Sequence, residues 1–370
     1  MKNISITAAA IICLVVASIC FAQDNEPVTN LDQPEGANDT LDFSNKLGLA
    51  RIYRELGYEQ RSEDAYLQVL EENPACAEAH HGLGFLYEQR GEYVRAIESY
   101  EAALKHRPGW GRPMYRIGSC LLDLGRLADA ETNLRAAIKA DPADPSPHNC
   151  LGIVLARSGN LAAAEREYMT AAELDPTWTA PFWNLVLLYD QQGRYRESDR
   201  CLDIILENDP ENFNALYQSV KHLVGRSDYA MAERTARRLV SRHPREPASH
   251  EALGIVLWSR DELEEAEECF RRALELDERS AGAWLGMGHV RLRQEQFAEA
   301  ERSYRKALDI QPGLADAAEG LKQAAGREQR YARRSGGGCK AIPSFACASP
   351  LGGLTYLLMI VPVLLFRLRL

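Results

Sequence analysis

The sequence predicts an all-α solenoid of repeated helical hairpins, and three observations carry that prediction. Pro74, Pro108, Pro142, Pro176, Pro210 and Pro244 stand 34 residues apart; Glu278 takes the next expected place and Pro312 resumes the series. Small residues return at fixed places between the prolines. Aromatic residues return beside them. A fixed period of this length marks a stack of like supersecondary units. Aligning on it gives eight repeats from Phe43 to Leu314 with no insertion or deletion: 43–76, 77–110, 111–144, 145–178, 179–212, 213–246, 247–280 and 281–314.

Within a repeat, each place has a physical job. The eighth is small in Ala50, Gly84, Gly118, Gly152, Gly254 and Gly288. The twentieth is Ser or Ala throughout, from Ser62 to Ala300, and the twenty-seventh is Ala in Ala103, Ala137, Ala171, Ala273 and Ala307. Small residues let the two helices of a hairpin approach closely. Tyr53, Tyr87 and Tyr189 at the eleventh place, and Tyr66, Tyr100, Tyr168, Phe270 and Tyr304 at the twenty-fourth, fill the space around them. Gly57, Gly91, Gly125, Gly159 and Gly193 mark the turn inside the hairpin. The proline then stops the second helix, because it has no N–H to donate and clashes with the preceding turn.

This pattern resembles the tetratricopeptide repeat. The second repeat carries the family's residues in register: Leu83, Gly84, Tyr87, Gly91, Ala96, Tyr100, Ala103 and Pro108. The resemblance covers about three-quarters of the chain. It implies paired antiparallel helices stacked into a right-handed superhelix, each repeat burying its apolar face against its neighbours. The segment 315–332 continues the spacing for one more helix and then turns polar, as a capping helix does. Residues 23–42 hold six acids and no base, a composition expected to be disordered.

The pattern breaks in the fifth and sixth repeats. Val186 and Val220 replace the small eighth residue, Ile205 and Leu239 the twenty-seventh, and Ala236 stands where a ring is usual. Wider helix spacing is expected there, or else compensated drift. The sixth repeat also gathers Arg234, Arg237, Arg238, Arg242 and Arg245, which read as a solvated face or as a patch for an acidic partner.

The family resemblance implies that the first helix of each repeat lines a concave groove. Carried over place by place, the groove candidates are His81, Phe85, Tyr115, Arg116, Asn149, Trp183, Asn184, Tyr217, Gln218, Lys221, Glu251, Trp258 and His289, with Ile153, Leu187, Ile255 and Leu292 among them. Some of the aliphatic ones are equally suited to packing on the next repeat. Aromatic residues and Arg dominate protein interfaces, so the strip suits an extended segment or a helix of another protein. The Lys/Asn clamp that some relatives use for a terminal carboxylate is not evident.

Little points to chemistry. The net charge of −10 argues against nucleic acid as a partner. No catalytic motif such as GxSxG, HExxH or a glycine-rich phosphate loop occurs. His80, His148 and His250 share the fourth place of their repeats, a packing place, so the period accounts for them without a metal. The chain is therefore expected to be no enzyme and to need no cofactor or metal. Cys201 and Cys269 fall on apolar helix faces and read as small buried hydrophobes.

The two ends are apolar. Lys2, the run from Ile4 to about Ile19, and small residues before Gln23 read as a secretory signal peptide cut after Ala22; an uncleaved anchor is the other reading. Cleavage there leaves seven cysteines, Cys76, Cys120, Cys150, Cys201, Cys269, Cys339 and Cys347, too widely spaced for a disulfide framework. Leu351–Phe366 is a run of 16 residues without charge, followed by Arg367 and Arg369. As a helix it would span about 24 Å, near the bilayer core once residues from Phe345 are counted. This is the expected C-terminal transmembrane helix, with its basic end on the cytoplasmic side. The order Gly336–Gly337–Gly338–Cys339, apolar helix, basic end resembles the tripartite sorting tags of bacterial envelope proteins. Membrane proteases of the rhombosortase, exosortase or myxosortase type read such tags, which makes Gly338 and Cys339 processing or lipidation candidates. A permanent single-span anchor explains the same residues.

Together these readings predict a scaffold in a bacterial cell envelope, periplasmic or surface-exposed, that is tethered to or sorted by a membrane. Its partner is a protein or peptide held in the groove. The alternative is a structural subunit of an envelope export or secretion complex, and a lipid or glycan handler is a third.

Overall fold

The computed structural model describes residues 43–334. The signal-peptide reading, the acidic segment, the Gly338–Cys339 motif and the C-terminal apolar helix all lie outside the described residues. Among the described residues there are seventeen helices and no strand. No helix among them is long and apolar enough to cross a membrane. They fall into two compact bodies, one ending at Pro108 and one beginning at Gly109.

The first body holds α1 (Phe43–Glu55), α2 (Glu59–Glu72), α3 (Ala77–Gln89) and α4 (Tyr93–His106). The second holds α5 (Gly111–Asp123), α6 (Leu127–Ala140), α7 (Pro145–Arg157), α8 (Leu161–Leu174), α9 (Thr179–Gln191) and α10 (Tyr195–Asn208). It continues through α11 (Phe213–Gly225), α12 (Tyr229–Arg242), α13 (Pro247–Ser259), α14 (Leu263–Leu276), α15 (Ala281–Arg293), α16 (Phe297–Ile310) and α17 (Ala315–Arg334). Odd-numbered helices from α1 to α15 open a repeat and even-numbered ones close it. Within each body, a closing helix packs on its own opening helix and on the opening helix that follows it, so the core runs as a continuous strip there.

The hairpin turn follows from backbone geometry. Gly91 has φ +76°, and the N–H of Glu92 returns to the carbonyl of Tyr87 at 2.9 Å, closing the orphan carbonyls of α3. Three later turns use Ser227, Asp261 and Glu295 in the same left-handed conformation, at φ 61°, 66° and 62°. The turn between repeats has a second device. Asn73, Asp141, Asp175, Asp209 and Asp277 each accept the backbone N–H two residues on, at 2.9 to 3.2 Å. These Asx turns end one hairpin and aim the next.

Rings lock the stack. A Cβ on Gly254 would stand 2.8 Å from the Phe270 ring, and one on Gly286 of the next repeat 2.3 Å from it. Tyr304 is held the same way between Gly288 and Gly320, at 2.5 Å from each. Burying one such ring contributes about 1.5–3 kcal/mol. The fifth and sixth repeats lack the device. Val186 and Val220 are buried in place of glycine, with Leu202 and Ala236 in place of the ring. The added volume on one helix is matched by loss on the other, and the paired helices approach along less of their length than in the remaining repeats.

The period also explains its histidines. The Nε2 atoms of His80 and His250 lie 2.9 and 3.0 Å from the carbonyls of Pro74 and Pro244, and His148 Nδ1 lies 2.7 Å from Glu167. Cys76, Cys120, Cys150 and Cys201 are buried, and Cys269 is half-buried. Burial pushes the Cys201 and Cys269 thiols up to about 11.

Candidate functional site

In the first body, His81 and Phe85 stand on α3, half-buried. The His81 ring lies 5.4 Å from the Tyr100 ring, and the Arg54 guanidinium lies 5.1 Å from the centre of the Phe85 ring. Nearby, Tyr87 donates to Glu63 at 3.0 Å, and Arg95 covers the Tyr87 ring at 3.9 Å. Burial raises the Glu63 pKa, but its bonds to Arg90 and Tyr87 outweigh that and hold the carboxyl below its usual range. The same clasp recurs in the second body, where Tyr189 donates to Glu165 at 3.0 Å under Arg194. Its partners lie 24 residues apart in neighbouring repeats, so no local motif announces it.

In the second body, the remaining candidates stand on the opening helices α5, α7, α9, α11, α13 and α15. Two are not available there: Tyr115 is 8% exposed and Asn149 5% exposed. Asn149 instead accepts a hydrogen bond from Asn184 Nδ2 at 2.8 Å and so orients that amide. Arg116 lies with its guanidinium 5.4 Å from the centre of the Tyr115 ring. Trp183 and Asn184 are half-buried on α9, and Leu187, one turn on, is 60% exposed.

The next opening helix carries Tyr217, Gln218 and Lys221. Tyr217 stacks on Phe213, with ring centres 5.9 Å apart, and burial together with the Glu251 charge pushes its hydroxyl up to about 12. Gln218 Nε2 donates to Asp190 at 2.6 Å, and Lys221 Nζ donates to Gln218 Oε1 at 3.2 Å. Beneath them lies an ion cluster that sequence reasoning missed. His222 is buried, with Nε2 3.1 Å from Asp190 on α9 and Nδ1 2.8 Å from Asp199 on α10. Burial pulls its pKa down, but the bonds to the two carboxylates prevail and lift it to about 9, so the ring is an imidazolium at neutral pH. Burial alone would raise the Asp190 pKa, and the bond to His222 brings it below its usual range. Both ring nitrogens are spent on carboxylates, so the array is an ion cluster and not a metal-binding set. A signal for it existed. His222 occupies the tenth place, which is apolar in every other repeat: Ile52, Leu86, Cys120, Val154, Leu188, Val256 and Val290. The cluster fills the space where α9 and α11 stand further apart than α11 and α13 do.

At the far end of the face stand Glu251, Trp258 and His289. Glu251 Oε1 accepts from Ser280 Oγ, and burial raises its pKa. The Arg293 guanidinium lies 4.4 Å from the centre of the Trp258 ring, and the His289 ring 5.4 Å from it. His289 Nδ1 faces the Tyr304 hydroxyl at 2.9 Å. Burial, aided by the Arg293 charge, drives His289 down to about 4, so it is neutral at pH 7. The arginines of the sixth repeat are largely engaged: Arg237 with Glu233 and Glu265, and Arg242 with Glu211.

Sequence models of the tetratricopeptide repeat match residues 46–76, 77–110, 115–181, 217–281 and 251–315, together more than half of the chain. Among solved structures, the C-terminal part of a TPR repeat-containing protein from Cytophaga hutchinsonii is similar. It has 13% identity over 64% of this chain and 98% of that one, with a TM-score of 0.54. PilF of Pseudomonas aeruginosa has 19% identity over 56% of this chain and 95% of that one, with a TM-score of 0.49. YrrB, a TPR protein with an unusual peptide-binding site, has 24% identity over 51% of this chain and 97% of that one, with a TM-score of 0.42. At such identities the likeness concerns the fold alone. No curated protein matches the chain.

Proposed function

Because this chain belongs to the tetratricopeptide repeat family, we propose that it is a non-enzymatic scaffold that holds an extended segment of another protein on its opening helices. The observation that carries this is Leu187, 60% exposed on α9 beside Trp183 and Asn184, on the face that Gln218 and Lys221 continue. A solvent-facing leucine amid hydrogen-bonding side chains suits an occupant with an apolar anchor and a polar backbone.

Photo-crosslinking tests it. A benzophenone amino acid at position 187 should trap discrete partners in the native cells, and the same residue at exposed Met169 on α8 should not. Equal products from both positions, or none from 187, would end the proposal. A collapse of native assembly size in Leu187→Asp would instead favour the subunit of an export or secretion complex.

The location is part of the same proposal. Export and tethering or sorting at a bacterial envelope membrane rest on the apolar runs Ile4–Ile19 and Leu351–Phe366 and on Gly338–Cys339. Mass spectrometry of the protein from its own cells decides between the readings of both ends. An N-terminus at Gln23 with Leu370 retained means a permanent anchor. A C-terminus near Gly338 or Cys339 means that a membrane protease reads the tail. An N-terminus at Met1 means that the first segment is kept.

A further inference from the structure

The half-buried charges of the second body are nearly all matched. Arg194 meets Glu165, Arg291 meets Glu267, and His222 meets Asp190 and Asp199. Two on the groove face are not. Among the described residues, Lys221 on α11 has Gln218 Oε1 as its one hydrogen-bond acceptor and no carboxylate in ion-pair range. Burial lowers its pKa and the Asp190 charge only partly restores it. Glu251 on α13 has the Ser280 hydroxyl and, among the described residues, no cation in ion-pair range. Its other oxygen lies 2.6 Å from where a Cβ on Gly282 would stand, so the carboxylate fills the space a side chain would otherwise take. Two turns further along α13, Trp258 Nε1 is buried without an acceptor among the described residues, as is His289 Nε2 on α15.

Resting on the groove reading above, we propose that this face selects an extended segment carrying both an acidic and a basic side chain, the acid against Lys221 and the base against Glu251. The spacing follows from the packing of α11 on α13. Lys221 and Glu251 hold the ninth and fifth places of successive repeats. That offset is about 6 Å along the helices and about 9 Å across them, so the charges stand roughly 10 Å apart. An extended chain presents same-face side chains about 7 Å or about 13 Å apart, two or four residues along. The segment therefore carries its acid and base two to four residues apart, and their order fixes its direction. A desolvated charge left unmatched is costly. A segment with the charges reversed sets like against like at both ends and is rejected.

The test is selection of phage-displayed random dodecapeptides on the immobilised full chain, with one enriched peptide then synthesised and titrated by fluorescence anisotropy. Enriched peptides should carry Asp or Glu and Lys or Arg two to four residues apart in one order. Lys221→Glu or Glu251→Lys should weaken binding at least tenfold, and the double reversal should prefer the peptide with its charges exchanged. Lys221→Met and Glu251→Gln, which keep shape and drop charge, cover the case in which a reversal fails to fold. Binding lost in Leu187→Asp but indifferent to both charge sites overturns this inference and leaves the groove reading standing. Binding indifferent to all three sites, or no enrichment at all, overturns both.

Discussion

His222 Nδ1 lies 2.8 Å from Asp199 Oδ1, on the helix that closes the preceding repeat. The ring's other nitrogen lies 3.1 Å from Asp190, so one buried cation bridges α9, α10 and α11. Its folded pKa of about 9 stands above the ordinary value of 6.5. The stabilisation is therefore full below about pH 6.5 and is lost as pH rises through 9. It is of the order of 2 kcal/mol after solvent screening. Urea unfolding of the wild type and His222→Leu from pH 6 to 10 checks this. The stability gap between them should narrow as pH rises, and a constant gap refutes the assignment.

Glu295 holds φ 62° in the last hairpin turn, where the first five repeats have glycine. A left-handed non-glycine residue costs about 1–2 kcal/mol. Freedom regained by the unfolded chain takes back part of that. Glu295→Gly should stabilise by about 0.5–1 kcal/mol, read as a rise in Tm. A lower Tm counts against the argument.

A Cβ on Gly286 would meet the Phe270 ring at 2.3 Å. Gly286→Ala should destabilise by about 1–3 kcal/mol through overpacking. Phe270→Leu alone leaves a gap. The double variant should recover part of both losses, because the third repeat has Leu134 at the ring's place and the next repeat has Cys150, with a side chain, at the place of Gly286. Strict additivity of the two losses in a double-mutant cycle would show that the contact is not the cause.

Trp258 Nε1 is a buried donor without an acceptor among the described residues. Trp258→Phe keeps a ring beneath Arg293 and removes the donor. Deleting an unsatisfied group relieves its desolvation cost of about 1–3 kcal/mol, against a smaller loss of ring area. The melting temperature should hold or rise, and a fall worth more than ~1 kcal/mol would mean that the nitrogen is satisfied in solution.

Much of the fold was legible because prolines, glycines and alanines act through local backbone rules that recur at one interval. Pro74 and Gly91 announce a helix end and a turn wherever they stand. The face carried over from the family was only partly legible. Tyr115 and Asn149 occupy groove places yet are buried, because the neighbouring repeat decides which side of the helix stays open. The Tyr87–Glu63 and Tyr189–Glu165 clasps were not legible at all, since they join different repeats. His222 could have been caught as a polar residue in an apolar column, but its two partners could not.

The ring held between two glycines also bears on mechanics. Where Phe270 grips two successive repeats and Tyr304 grips the last repeat and α17, a bend imposed on one is passed to the next almost without give. Leu134 and Tyr168 each meet one such glycine, and Leu202 and Ala236 meet none, so elastic compliance of the second body is greatest in residues 179–246. That softer stretch carries Leu187 and Lys221. The curvature presented to an occupant can therefore adjust there, while the stiffer coil from Pro247 onward keeps Glu251 and Trp258 as a fixed reference for its other end.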